Sequence, residues 1–348
     1  MHFQKFAKRS LAKGLGLAAA VALLATPALA QDSVASFYKG KTITIYVGFG
    51  PGGGYDLYGR LAADHLGKFI PGHPSVIVQN MPGAGGRRAA QYLYKVAPQD
   101  GTALAVIVQS VALDSATGAI PGNIDASKYN AVGRLVDNYE LGLTWHKSKI
   151  KTFDDAKKGE VSFASTGGGS ASSFVPKMLN DIEGTKFKVV AGYKGAAAAT
   201  LAMEQGEVDG SMSGLAGLKS SHPDWLSKPL VNVLWQLSNK PSADYPKVPA
   251  VGQMGHTPEQ KAMLRLVAGA SEVGRSLLAT PNVPKERVEA LRAAFSKMVA
   301  NKAFLADANQ RHLEINPITG AELQKVIEEQ MHTSPQAIAM ARKYTVSH

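Results

Sequence analysis

The sequence predicts an α/β protein of two lobes joined by a hinge, with a ligand cleft between the lobes. Three observations point there. An apolar, β-branched run leads through a glycine-rich loop into a helical pattern at residues 42–66, again at 75–96 and again at 161–181. Residues 131–146 alternate like a strand, in Val132, Leu135, Tyr139, Leu141, Leu143 and Trp145, and carry the chain out of the first series. A strand at 276–279 lies beyond the second series and returns to the first lobe, and a chain that crosses twice makes a hinged pair. The division expected is 31–135 for the first lobe, 136–255 for the second, and 256–348 for a helical return to the first. With 348 residues, 45% of them hydrophobic, the chain is long enough to bury two cores.

Residues 1–30 read as an export signal. Lys5, Lys8, Arg9 and Lys13 form a basic region, 15–24 an apolar one, and Ala28-Leu29-Ala30 a small-residue cleavage site before Gln31. The expectation is an exported protein cleaved near Ala30. The formal net charge of +11 falls to +7 without the four basic residues of that segment. What remains is scattered, with no basic run interleaved with aromatics, which argues against nucleic acid and suits small anions. The absence of cysteine excludes disulfides, thiolate metal sites and cysteine nucleophiles. Beyond the signal no apolar run approaches about 18 residues, so the mature chain is expected to have no membrane span.

The first loop, Gly48-Phe49-Gly50-Pro51-Gly52-Gly53-Gly54-Tyr55-Asp56, follows the strand 42–47 and precedes Leu57, Leu61 and Leu66 at helical spacing. Glycines let the backbone approach a guest, and the amides that open a helix attract an anion. Gly48, Gly50 and Gly53 also spell G-x-G-x-x-G. A dinucleotide site, however, requires an acidic residue at the end of the next strand, and 75–80 ends in Gln79-Asn80. A glycine-rich turn without a ligand is the remaining alternative. The second loop, Asn80-Met81-Pro82-Gly83-Ala84-Gly85-Gly86-Arg87-Arg88, opens a helix through Ala90, Leu93 and Val96. Gly86 lies at its mouth; Arg87 and Arg88 are candidate cationic donors, with a solvated first turn the ordinary fate of at least one. The buried strand type at 101–108 ends in Gln109-Ser110, where open α/β sheets bind ligands and where an ordinary helix cap also fits.

In the second lobe Thr152 and Asp155 suit a capping box. The strand 161–164 then opens into a loop whose Thr166, Gly167, Gly169, Ser170, Ser172 and Ser173 offer hydroxyls beside glycine amides, able to hold a carboxylate without a fixed opposing charge. Further strands are read at 187–190, 208–213 and 230–235. Tyr193 and Lys194 precede an alanine-rich helix, and Ser213 enters the same crevice. For Tyr193 or Lys194 taken alone a surface role fits equally. Trp225 and Trp235 read as core. Catalytic constellations are missing: Gly210-Ser211-Met212-Ser213-Gly214 is not a G-x-S-x-G elbow, there is no H-E-x-x-H, and Gly217-Leu218-Lys219-Ser220 lacks a Walker Gly-Lys pair. Such a crevice binds rather than converts, and no cofactor or metal is expected.

With these residues in view, the chain resembles the extracytoplasmic solute receptors of the tripartite tricarboxylate transporter family, the Bug receptors. The resemblance runs from about residue 37 to 344. Its carriers are the Gly50 to Asp56 loop, Asn80-Met81-Pro82-Gly83-Ala84-Gly85-Gly86, Ala97-Pro98-Gln99-Asp100-Gly101-Thr102, the loop 165–170, Tyr193-Lys194-Gly195 and Gly206-Glu207-Val208-Asp209. It implies a type II periplasmic binding fold that closes on a di- or tricarboxylate or a related acid and delivers it to a membrane permease. One carboxylate would be held by amides and waters from the first loop (Gly53, Gly54, Tyr55, Asp56) and the third (Thr166, Gly167, Gly169, Ser170). Asp56 would either orient those waters or cap its helix. Departures are Met81 where an Arg is common, Arg87-Arg88 where a polar pair is common, and Phe174 where a His is often seen. The expectation is a monomeric receptor. The alternatives are a receptor that feeds a signalling partner and an exported hydrolase.

Overall fold

The computed structural model describes residues 33–167, 170–193 and 195–346, so the export signal expected at 1–30, Gly169 and Lys194 lie outside the described residues. In β1 (Thr42–Val47), Ile43, Ile45 and Val47 turn to one face and Tyr46 to the other. The chain then forms α1 (Gly54–Leu66), which covers the first face with Tyr58, Leu61, Ala62 and Leu66. β2 (Ser75–Asn80) pairs parallel with β1, whose other side is taken in parallel by β3 (Ala103–Val106). The Tyr46 face is covered by α2 (Arg87–Lys95) and α3 (Val111–Ala116) through Ala89, Ala90, Leu93, Val111 and Ala112. Strands apolar on both sides, as β3 is, require such double cover.

After β4 (Asn130–Val136), Asp137-Asn138-Tyr139 carries the chain into a second sheet. This is built from β5 (Glu140–Trp145), β6 (Val161–Ser165), β7 (Phe187–Ala191), β8 (Gly210–Gly214) and β9 (Val231–Leu237), with α4 (Ala171–Glu183), α5 (Ala196–Gln205) and α6 (Leu215–Ser221) interspersed. The order is β7-β6-β8-β5-β9, with β6 parallel to β7 and β8 and β5 antiparallel to both neighbours. Val161, Phe163, Leu234 and Trp235 pack with Phe174, Val175 and Met178 on one face; Leu141, Leu143 and Ala164 pack with Ala199, Ala202, Met203 and Trp225 on the other.

The segment 256–348 divides between the sheets rather than returning whole to the first. α7 (Pro258–Ala268) shares the core of the second sheet through Met263, Leu264 and Val267. β10 (Arg275–Ala279) then inserts between β3 and β4, antiparallel to both. The first sheet is completed by α8 (Lys285–Val299), α9 (Lys302–Gln310), β11 (Ile318–Thr319) and α10 (Gly320–Met331), in the order β11-β4-β10-β3-β1-β2. Finally α11 (Pro335–Thr345) goes back to the second core with Ala337 and Ala341. Helical periodicity marks an apolar face but does not say which of two cores it covers.

Strand directions place the loops. Because β10 is antiparallel to β3 and to β4, β4 ends at the edge where β1 and β3 end. Because Glu140 of β5 lies opposite Gly214 of antiparallel β8, β5 begins where β8 and its parallel neighbour β6 end. The crossover therefore joins the carboxyl edges of both parallel sets, and the loops that leave β1, β3, β6 and β8 converge on it.

Each sheet also carries a glycine against an aromatic ring. A methyl at Gly133 would overlap Phe295 and one at Gly142 would overlap Trp235, whereas one at Gly53 meets nothing within 4 Å. Gly142→Ala is expected to lower stability by about 1–3 kcal/mol in urea denaturation, through overpacking. Gly53→Ala is expected to leave it within about 0.5 kcal/mol. Equal melts for the two would contradict this packing.

Candidate functional site at the crossover

The loop after β1 is fastened by Asp56. Its carboxylate accepts the Gly52 amide at 2.9 Å, Arg60 Nε at 2.8 Å and Asn80 Nδ2 at 2.8 Å, while Asn80 also donates to the Phe49 carbonyl at 2.9 Å. Asp56 is buried, and burial alone raises a carboxyl pKa; the three donors and the Arg60 charge outweigh it and hold this one below the ordinary range. No side chain caps α1. Asp56 thus serves as a clamp on the loop, and the first amides of the helix keep the open end that Gly53 and Gly54 present.

Tyr55 is the next fixed point. It stacks on Phe49 with ring centroids 4.1 Å apart, and the Arg275 guanidinium carbon lies 3.7 Å from its ring centre. Its hydroxyl accepts the Gln109 amide at 3.1 Å. Gln109 Oε1 in turn accepts Arg275 Nη1 and Asn138 Nδ2, each at 2.8 Å. Arg275 also runs beside Gly54, with Nε 3.7 Å from the place a Cβ there would occupy. A buried cation therefore stands at the open end of α1. Gly86 contributes by packing: at φ 92° it admits Phe49, whose ring lies 2.9 Å from where a Cβ would sit.

Arg87 and Ser110 meet each other's partner. Arg87 Nη2 pairs with Asp114 Oδ1 at 2.8 Å and donates to the Thr345 carbonyl at 3.2 Å; Ser110 Oγ donates to Asp114 Oδ2 at 2.8 Å. This buried pair links α2 and α3 to the end of α11. Burial pushes the Asp114 carboxyl up, and Arg87 and Ser110 only partly offset it. Arg88 is exposed.

On the second sheet Thr166, Gly167 and Ser170 lie together in the loop after β6. The Thr166 amide donates to Ser172 Oγ at 3.1 Å, the Gly167 amide to Ser165 Oγ at 3.2 Å, and Ser170 Oγ to the Gly167 carbonyl at 2.8 Å. The Tyr193 amide donates to the Ser165 carbonyl at 3.3 Å, bringing that residue to the loop, but its hydroxyl is held by Glu207 at 2.7 Å. Ser213, opposite Leu141 on β8, is half-buried at the same edge.

Arg275, Asn138 and Glu140 are absent from the sequence-based set. Arg275 lies one residue before the strand read at 276–279, and the turn that aims it is set by Gly274, at φ 53°, where a Cβ would strike the Val136 carbonyl. Glu140 is a charged residue at the head of an apolar alternation, which was the available signal. Burial pushes its carboxyl above the ordinary range, and Arg275 opposes this. Among the described residues no group of three or more His, Cys, Asp and Glu is placed to hold a metal, and no helix is long and apolar enough to cross a membrane.

A family model described as tripartite tricarboxylate transporter family receptor matches residues 59–342. A Cupriavidus necator protein, described as the UPF0065 protein in the gbd 5' region, is 30% identical over 261 residues, which is 73% of this chain and 76% of that protein. Among solved structures, the periplasmic binding protein BugD superposes with a TM-score of 0.65 at 20% identity, covering 89% of this chain and 99% of its own. MatC from Rhodopseudomonas palustris, with bound malate, superposes with a TM-score of 0.63 at 19% identity, covering 88% and 99%. At these identities the likeness carries the fold, the two-lobed α/β architecture expected from the sequence.

Asp56→Ala is expected to destabilise the protein by about 1–3 kcal/mol at neutral pH, because the loop loses three hydrogen bonds, one of them to a charged donor. Since the folded pKa of Asp56 is depressed, its contribution is present above the unfolded value and is lost as pH falls through the folded one. Urea melts of both proteins should therefore converge on acidification; a gap independent of pH would assign the loss to packing.

Proposed function

The chain belongs to the tripartite tricarboxylate transporter receptor family, and from that premise we propose that it captures a small organic carboxylate between its lobes and delivers it to the membrane permease of such a transporter. What supports the reading most is Arg275, a buried cation fixed beside the uncapped start of α1. Open amides, the helix dipole and a guanidinium together form a complementary seat for one carboxylate. The hydroxyls of Thr166 and Ser170 and the Gly167 backbone approach from the opposite sheet, and malate in MatC is an acid of the class such a seat suits. The receptor acts in the periplasm, as a monomer, after loss of its export signal, and it binds without converting.

Signalling to a permease requires that the ligand favour the closed arrangement over the open one. Lys219 on α6 supplies a contact between the two halves that closure would make and opening would break. Its Nζ lies 2.9 Å from Asp244 Oδ2 and 2.7 Å from Glu314 Oε1, and the Glu314 carbonyl accepts the Tyr58 hydroxyl of α1 at 2.8 Å. The ion pair thus joins α6 of the second sheet to the loop between α9 and β11, which is held to α1.

Calorimetry and thermal-shift screening of mono-, di- and tricarboxylates should find ligand-dependent stabilisation, and Arg275→Met should weaken binding by roughly tenfold or more, as loss of a charged hydrogen bond does. No stabilisation by any organic acid would remove the proposal. Lys219→Met should increase the radius of gyration of the ligand-free protein in small-angle scattering; an unchanged radius would deny the contact a role in closure.

A further inference from the structure

Glu140 heads β5 directly after the crossover, opposite Gly214 and Leu237 of its neighbouring strands. Arg275 heads β10 opposite Val136, the last residue of β4 before that crossover. The two side chains therefore stand on either side of the passage between sheets, with Tyr55 within electrostatic reach of both. They do not form a salt bridge. Arg275 is engaged with Gln109 and the Tyr55 ring, and among the described residues no donor hydrogen-bonds to the Glu140 carboxylate. Half-buried and served by no protein donor, this carboxylate is stabilised when a ligand supplies one. A second carboxylate placed there would be repelled instead.

We propose that Glu140 is a specificity-determining residue, selecting acids that carry a hydrogen-bond donor, an ammonium or a hydroxyl, beside the carboxylate that Arg275 and the α1 amides hold. This rests on the carboxylate reading of the crossover site and narrows it. The ligand spans the separation between cation and anion: its carboxylate faces Arg275 and its donor faces Glu140. Amino and hydroxy acids satisfy both ends; an unsubstituted acid leaves Glu140 as it was.

The test is titration calorimetry on the mature protein with matched sets: alanine, lactate and propionate; aspartate, malate and succinate. In at least one set the amino or hydroxy acid should bind roughly tenfold or more tighter than the unsubstituted acid. Glu140→Gln should reduce the preference for the amine, and Glu140→Leu the preference for either donor, with melting temperatures checking that each variant folds. The wild-type ratios decide by themselves if a variant does not fold. Unsubstituted acids that bind as tightly as their substituted analogues overturn the assignment to Glu140 and leave the carboxylate reading standing. A preference unchanged in a folded Glu140→Leu protein does the same. If no acid of any set binds, the assignment to Glu140 falls, and the carboxylate reading falls with it when the wider screen of mono-, di- and tricarboxylates is also empty.

Discussion

One oxygen ties the two passages of the chain together. Gln109 Oε1, at the end of the segment that follows β3, accepts Asn138 from the outgoing crossover and Arg275 from the returning strand. Both donors are buried, and so is the acceptor. A buried carbonyl with two donors, one charged, is stable only while all partners stay in place, since removing any one leaves a desolvated group unmatched. The positions of Tyr55, of the open end of α1 and of Glu140 all follow from this arrangement.

The glycines divide by task. Gly133, Gly142 and Gly86 are there because aromatic rings occupy the space of their missing side chains, and Gly274 because a turn and a neighbouring carbonyl leave no room. Gly53 meets nothing, so its small size serves access. The same residue type thus builds two cores and keeps one doorway clear.

Much of this was legible in the chain. The strands at 42–47, 75–80, 161–165 and 187–191 appear where β-branched runs predict them; Thr152 and Asp155 exchange reciprocal bonds at 3.2 and 3.0 Å, but the helical turn they precede has Asp154 as its cap position, without a side-chain cap. Gln109 and Tyr55 were both nominated and do meet. What sequence could not supply was partnership at long range. Arg87 reads as a donor at a loop mouth, yet Asp114 sits 27 positions later and claims it. Arg275 lies 166 positions from Gln109, and only the antiparallel insertion of β10 brings it to the site. The assignment of α7 and α11 to the second core depends on the same non-local choice.

Arg275 belongs to the half of the molecule built on the first sheet, at the edge where the crossover leaves it. Its place beside Gly54 is set by β10, which is hydrogen-bonded into the same sheet as β1. In a two-jawed receptor this makes the encounter asymmetric in time. On the carboxylate reading proposed above, the first half would be ready when an anion arrives and would govern how fast it is caught, whereas the serine-lined half would swing in and govern how long it stays.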